Sequence, residues 1–321
     1  MNPAYTIVVP TVGRPSLAVL LRALGSGPEE IILVNDRPGR PLPVAVRGRC
    51  RIVDGRGRGP AAARNDGWRA ARTPWVVFVD DDVVPDPMWT EQLRGDLLAA
   101  EHTAAVAVQG RLTVPLPARR RPTDWERQTA GLATAAWITA DLAYRRDVLA
   151  AVGGFDERFP RAFREDAELA LRVRARGHRL IRGERRAAHP VRPAGPLVSV
   201  GRQAGNADDA LLRRLYGPQW RGLAMVPPGR RARHALVTAA GLVALATTLA
   251  GRRGLAAAAA VAWLAGTTEF AARRIAPGPR TPREVAAMAL TSVAIPPLAI
   301  AHWVRGWIAH RHARPLKAVA G

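Results

Sequence analysis

Residues 75–82 read WVVFVDDD, an apolar run that passes without a break into three carboxylates. Such a run reads as a buried strand, and three adjacent acids at its end repel one another unless a cation neutralises them. A charge run alone marks a solvated face. At the carboxyl end of a strand, however, acids fall where α/β sheets open their ligand crevices. Hard oxygen ligands suit Mg²⁺ or Mn²⁺, held by one or two carboxylates with sites left open to grip a diphosphate.

Around this strand the chain alternates. Apolar, β-branched runs at residues 6–10, 31–35 and 106–108 are separated by segments of helical spacing at 16–24, 60–71 and 87–100. That order predicts βαβ units around a mostly parallel sheet, an α/β fold, with Pro60 and Pro87 in first helical turns. Asn35-Asp36 then share the ligand edge with Asp80, Asp81 and Asp82. Beyond a basic stretch near residue 115, a run at 137–141 and a helix from Arg145 are expected, followed by a helix over 165–176 ending at Gly177.

Two further clusters carry chemistry. GPAAARNDGW, residues 59–68, starts a helix after the DGRGRG loop, so the helix N-terminus and Arg64 would both attract phosphate oxygens. The loop itself has neither the Walker spacing nor Gly-x-Gly-x-x-Gly. In VGGFDERFPRAFRED, residues 152–166, Glu165 and Asp166 stand at a predicted helix N-terminus, which favours their ionised forms. From the pair alone they read first as first-turn acids that stabilise the helix, although an ionised aspartate there could serve as a general base.

The last third differs in character. Of the formal net charge of +22, +13 lies in residues 201–321, and all of the basic residues except Lys317 are arginine. Three mainly apolar stretches, 234–250, 254–270 and 285–309, are set off by Arg pairs, with Trp303 and Trp307 near the last. A spanning helix needs roughly 20 apolar residues, so the first two are short, yet Arg and Trp at their ends are typical interface anchors. The expected organisation is a soluble unit over residues 1–228 followed by membrane-associated helices over 229–321. A hairpin of the first two stretches keeps Arg273, Arg274, Arg280 and Arg283 inside. A third crossing would export Arg311, Arg314 and Lys317 against the positive-inside bias. The third stretch, broken by Pro296-Pro297, is therefore expected to be re-entrant or surface-lying. One cysteine, Cys50, excludes an intramolecular disulfide framework, and MNPAYTIVVPTVGRP has no signal-peptide pattern, so the front of the chain is expected in the cytosol.

Taken together and in order, TIVVPTVGRP, ILVNDRPG, AARNDGW, WVVFVDDDVVPDPMW, GGFDERF and FREDAELALRVRARGHR resemble the inverting family 2 glycosyltransferases of GT-A fold, over about residues 5–190. The resemblance implies a nucleotide-diphospho-sugar donor, Mn²⁺ or Mg²⁺, and a glycan or lipid-linked acceptor at the inner membrane with the catalytic part cytoplasmic. It also implies site roles: Asp166 as catalytic base; Pro10, Asp36, Arg64, Asp80 and Asp81 on the donor side; Glu165 and Gly154 on the acceptor side; Asp82 and His189 as metal ligands. Asn35-Asp36-Arg37 stands where many members read Asp-Asp-Gly-Ser, and the Gln-x-x-Arg-Trp signature of processive synthases is missing, which favours single transfer.

Three rivals remain at this level. A polyprenyl-phosphate sugar synthase has a similar layout but a phosphate acceptor that needs no base. A nucleotidyltransferase should carry a glycine-rich loop after the first strand, and PTVGRP is not one. A basic nucleic-acid-binding protein fits the charge, but the excess clusters beside apolar helices rather than among stacking aromatics, the pattern for an anionic membrane surface and against nucleic acid.

Overall fold

The computed structural model describes residues 3–28, 30–42 and 50–316. Its first half runs β1 (Tyr5–Thr11), α1 (Ser16–Leu24), β2 (Glu30–Asn35), β3 (Arg51–Asp54), α2 (Pro60–Ala70), β4 (Trp75–Val79), β5 (Val84–Pro85), α3 (Trp89–His102) and β6 (Ala105–Thr113). Then follow α4 (Asp124–Ala130), β7 (Asp141–Arg145), α5 (Arg146–Val152), α6 (Glu165–Ala175), β8 (Arg179–Ala188), α7 (Val198–Gly201), α8 (Asn206–Tyr216) and α9 (Trp220–Leu223). Three long helices close the chain: α10 (Arg231–Leu249), α11 (Arg253–Ile275) and α12 (Pro282–Ala309).

The strands form one sheet in the order β3-β2-β1-β4-β7-β6-β8-β5. It is parallel from β3 to β4, as the alternation predicts, and mixed beyond, because β7 pairs antiparallel with both β4 and β6. The period of two along β4 divides its side chains between two cores. Trp75, Val77 and Val79 join α1 and α3 on one face, while Val76 and Phe78 join α2, α5 and α6 on the other. All five are fully buried, which is why the run has no polar alternation.

Two strands depart from the sequence expectation. The run expected at 137–141 gives way to β7, which begins at Asp141, and β8 lies in a segment where the sequence shows no strand pattern. One interaction explains both. Arg185 of β8 points inward and is fully buried, with Nε on Asp141 Oδ1 at 2.7 Å, Nη1 on Asp96 Oδ2 at 2.9 Å and Nη2 on the Val108 carbonyl at 2.7 Å. Trp89 Nε1 donates to the other Asp141 oxygen at 2.7 Å. A charged residue at an inward strand position hides the strand from any hydropathy pattern. Gly110 and Gly183 make the room, since a Cβ at either would lie 2.3 and 2.0 Å from the Asp141 and Asp96 carboxylates.

α10 and α11 form a hairpin around Gly251, whose φ is +71°. They approach closely through Gly241 against Trp263 and Gly266 against Val237. Their outer faces leave Leu236, Leu242, Leu245, Leu249, Val261 and Leu264 exposed. α12 behaves differently, lying along the α/β unit. Gly306 meets the Ala207 backbone of α8, Arg214 donates twice to the Trp307 carbonyl at 3.0 and 2.8 Å, and Leu316 N reaches the Leu215 carbonyl at 2.9 Å. The Pro296-Pro297 pair does not break the segment as expected. α12 runs continuously through it, with Ile295, Pro296 and Ala299 buried, so packing holds the axis where backbone hydrogen bonds are lost. Lys317, one of the three cations that follow the last apolar stretch, lies outside the described residues.

Replacing Arg185 strands two buried carboxylates. Arg185→Met is expected to lower unfolding stability by about 3–5 kcal/mol, the usual loss on breaking a buried ion pair, measured as the shift in thermal midpoint of the detergent-solubilised protein.

Candidate functional site

The parallel strands β1, β2 and β4 all end on one edge, and their C-terminal residues build the site. The three acids after β4 divide the work. Asp81 turns in toward β1: its oxygens take Thr11 Oγ1 at 2.7 Å and Arg14 Nη1 at 2.9 Å, so it fixes the loop after β1. Asp80 faces α2 and accepts from Arg64 Nη2 at 2.8 Å. Asp82 faces the end of β8, where His189 Nε2 lies 3.5 Å and Arg192 Nη2 2.5 Å from Oδ2.

Arg64 enters this edge because Ala61, Ala62 and Ala63 pack the start of α2 tightly into the core. The helix begins at Gly59, with φ +93°, where a Cβ would lie 2.3 Å from the Pro160 carbonyl oxygen. Gly59 N donates to Asp36 Oδ2 at 3.1 Å and holds that carboxylate beside the cleft. The Arg64 guanidinium, 2% exposed, spans Asp80 and Glu165, donating to Glu165 Oε1 at 2.8 Å. Glu165 and Asp166 open α6 after Arg164, which adopts a left-handed φ of +80°. That turn is braced by α8, where Arg161 grips Asp208 with two 2.8 Å bonds and Arg164 Nε reaches Asp209 at 2.9 Å.

Asp80, Glu165 and Asp166 all act on the single Arg64 guanidinium, an excess of negative charge in a dry setting. Burial and the neighbouring Asp166 push the Glu165 carboxyl up to about 8. Burial raises Asp166 as well, against Arg64 and its own bond to Ala167 N. Desolvation followed by repulsion from Asp80 raises Asp82, and burial raises Asp36.

Two adjacent clefts open here. One, of about 220 Å³, is lined by Pro10, Thr11, Arg14, Asp36, Arg64, Asp80 and Asp81. The second, of about 210 Å³, is lined by Asp80, Asp82, His189, Arg202 and the α4 residues Trp125, Gln128 and Thr129. Ala162, Asp80 and Arg192 belong to both walls. Ligand atoms of Asp80, Asp82 and His189 lie within 4.8 Å of one another, close enough for one cation to reach all three with small rotations. Asp80, expected on the donor side, thus also joins the metal-competent group.

Not every expected residue faces these clefts. Gly154, expected on the acceptor side, lines neither: with φ +74° it packs beneath α2, where a Cβ would lie 2.4 Å from Asn65 Oδ1. Asp166 also lines neither, although it neighbours Arg64 and Asp80 electrostatically. Glu165 is buried behind Arg64. No sequence motif marks Arg14, Arg192 or the α4 residues as part of the site. Arg192 was within reach, three positions after His189, whereas α4 enters only through the tertiary fold.

Residues 6–151 match the family model Glycosyl transferase family 2. A pre-mycofactocin glycosyltransferase of Mycobacterium tuberculosis is 30% identical over 196 residues, covering 54% of this chain and 40% of that protein. The chain thus spans less than half the length of this curated relative. Among solved structures, glucosyl-3-phosphoglycerate synthase from Mycobacterium tuberculosis, in complex with Mn²⁺, UDP-glucose and phosphoglyceric acid, aligns at TM-score 0.45 and 18% identity over 71% of this chain and 81% of its own. GalNAc-T7 with UDP, GalNAc and Mn²⁺ aligns at 0.47 and 14% over 70% and 55%.

Folding favours the protonated form of a carboxyl whose folded value is raised. That contribution is complete below the unfolded value near 4.5 and is lost as pH climbs toward about 8. Thermal midpoints of wild type relative to Glu165→Gln should therefore fall between those pH values; a constant difference would show that Glu165 stays ionised throughout.

Proposed function

We propose that this chain, whose residues 6–151 match the glycosyl transferase family 2 model, transfers a sugar, with inversion, from a nucleotide diphospho-sugar to a hydroxyl of a cell-envelope glycan or lipid-linked acceptor. The carrying observation is the Asp80, Asp82 and His189 group set between two clefts that share a wall.

In this reading the donor lies in the cleft of Pro10, Asp36 and Asp80, and the acceptor enters the cleft bounded by α4. The residues present fit Mn²⁺ or Mg²⁺: Asp82 Oδ1 and His189 Nδ1 are buried without a hydrogen bond, Asp82 Oδ2 meets only the Arg192 and His189 side chains, and two carboxylates supply the hard oxygen donors beside one imidazole. A divalent ion bound there offsets the charge that develops on the departing diphosphate. Arg14 and Arg192 flank the same position and supply donors to phosphate oxygens. Arg64, locked between Asp80 and Glu165, is a positioning residue that fixes both ends of the reacting geometry. Glu165 is closed off by Arg64, whereas Asp166 is half-buried beside Arg64 and Asp80, and in this reading it is the group that takes the acceptor proton.

The test is turnover of purified full-length protein with a panel of UDP-, GDP- and dTDP-sugars and Mn²⁺. Asp82→Asn is expected to abolish metal-dependent donor binding without unfolding the chain. Asp166→Asn should lower kcat by ~10²–10⁴ at nearly unchanged donor KM, the usual share of a general base. Because burial raises Asp166, the acid limb of the kcat/KM profile should lie above the ordinary carboxylate range. Transfer by Asp166→Asn at the wild-type rate would place the base elsewhere or indicate a phosphate acceptor.

The same reading places the protein at the inner membrane with residues 1–228 cytoplasmic. α10, α11 and α12 are each long and apolar enough to cross, with mean hydropathy 1.3, 1.4 and 1.7. α10 leaves the α/β unit at Arg231, and α11 returns to it at Arg274, which bonds Asp124 and Ser199, so both hairpin ends lie on one side. Arg252 and Arg253 mark the far turn. With α12 along the α/β unit, the C-terminus remains cytoplasmic. Reporter fusions should be active as cytoplasmic after Gly321 and as external at Arg252; an external signal after Gly321 would mean three crossings.

A further inference from the structure

A cavity of about 720 Å³ lies away from the Asp80, Asp82 and His189 group, between α8, α9 and the first turn of α10, with Trp303 of α12 in its wall. Its lining carries four guanidiniums, Arg213, Arg221, Arg230 and Arg231, against one carboxylate, Asp209. That carboxylate is already shared by Arg221 and Arg164, and Arg230 is paired with Glu269. Among the described residues, Arg213 and Arg231 have no carboxylate within ion-pair distance. The Arg231 guanidinium sits 4.6 Å over the Trp303 ring, and the Trp303 Nε1–H is buried without an acceptor.

Two unpaired guanidiniums and an idle indole N–H are all donors, and like charges held together call for an anion with several acceptor oxygens. The location selects the kind. Arg231 is the first residue of α10, and exposed Leu236 follows within two turns on a helix that carries an apolar exterior. A ligand seated at Arg213 and Arg231 therefore has its charged part in the cavity and hydrocarbon beside it. Gln128 lines both this cavity and the cleft of Asp82 and His189, which brings such a ligand to the edge of the second cleft.

We propose that this cavity binds the phosphate head of a membrane lipid. The proposal rests on the membrane reading of α10 and α11, and a first measurement separates the two. The full chain is reconstituted with neutral phosphatidylcholine vesicles and floated; failure to float overturns the membrane reading and the lipid source with it. The detergent-solubilised chain is then titrated with dioctanoyl phosphatidic acid, dioctanoylglycerol and inorganic phosphate, read by tryptophan fluorescence. Saturable binding of phosphatidic acid is expected, with the phosphate-free lipid and inorganic phosphate each weaker by about tenfold or more.

Arg213→Gln and Arg231→Gln should each weaken phosphatidic acid by about tenfold, and Trp303→Phe, which keeps the ring and removes the N–H, by a few-fold. Ligand-free thermal midpoints identify any variant that fails to fold, and Trp303→Phe serves where an Arg variant does. Wild-type affinity in folded Arg variants overturns the site. Inorganic phosphate binding as tightly as the lipid overturns the lipid as its occupant.

Discussion

The buried guanidinium of Arg64 sets the geometry on which the candidate site depends. A charge taken out of water is tolerated only with close partners, and here Asp80 at the end of β4 and Glu165 at the start of α6 each supply one at 2.8 Å. The sheet edge and the α6 turn are thereby held in register by a single side chain. Its own carboxylates outnumber it, and the resulting excess negative charge keeps Glu165 and Asp166 proton-hungry.

The same principle recurs at two places further out. Arg185 fastens β8 to β6, β7 and α3, and so carries His189 and Arg192, which follow β8, to Asp82. Arg274 is buried among Asp124, Ser199, Thr291 and Ser292, with both Nη atoms occupied. Expected from the sequence as an interface anchor, it instead ties α11 and α12 to α4, the helix that walls the second cleft. Glu284 adds a bond to Asp124 N at 2.9 Å. The apolar helices are therefore linked to the wall of the second cleft through polar contacts rather than through a flexible tether.

Exposure follows this division. α10 and α11 turn leucines outward with few polar relatives nearby, while α12 buries Met288, Thr291, Ser292, Ile295 and Ala299 against the rest of the chain. Between these two arrangements lies the arginine-lined cavity at the root of α10, where unpaired donors meet the start of the apolar surface.

The sequence by itself determined the α/β alternation, the strand-end positions of Asp36 and Asp80–Asp82, the α2 and α6 starts that carry Arg64 and Asp166, and the three apolar segments. All of these are local: a run of buried residues, a turn and a cap are written within a dozen positions. Only the tertiary structure decided that β8 exists as a strand, that β7 enters antiparallel, that α12 continues through two prolines, and that α4 and Arg192 complete the clefts. In each case the deciding partner is distant in sequence, as Asp141 is from Arg185 or Asp124 from Arg274. A buried arginine looks like surface until its carboxylates arrive. Gly154 shows the reverse: a motif glycine read as part of the site is required by the close packing of Asn65 and Trp68 behind it.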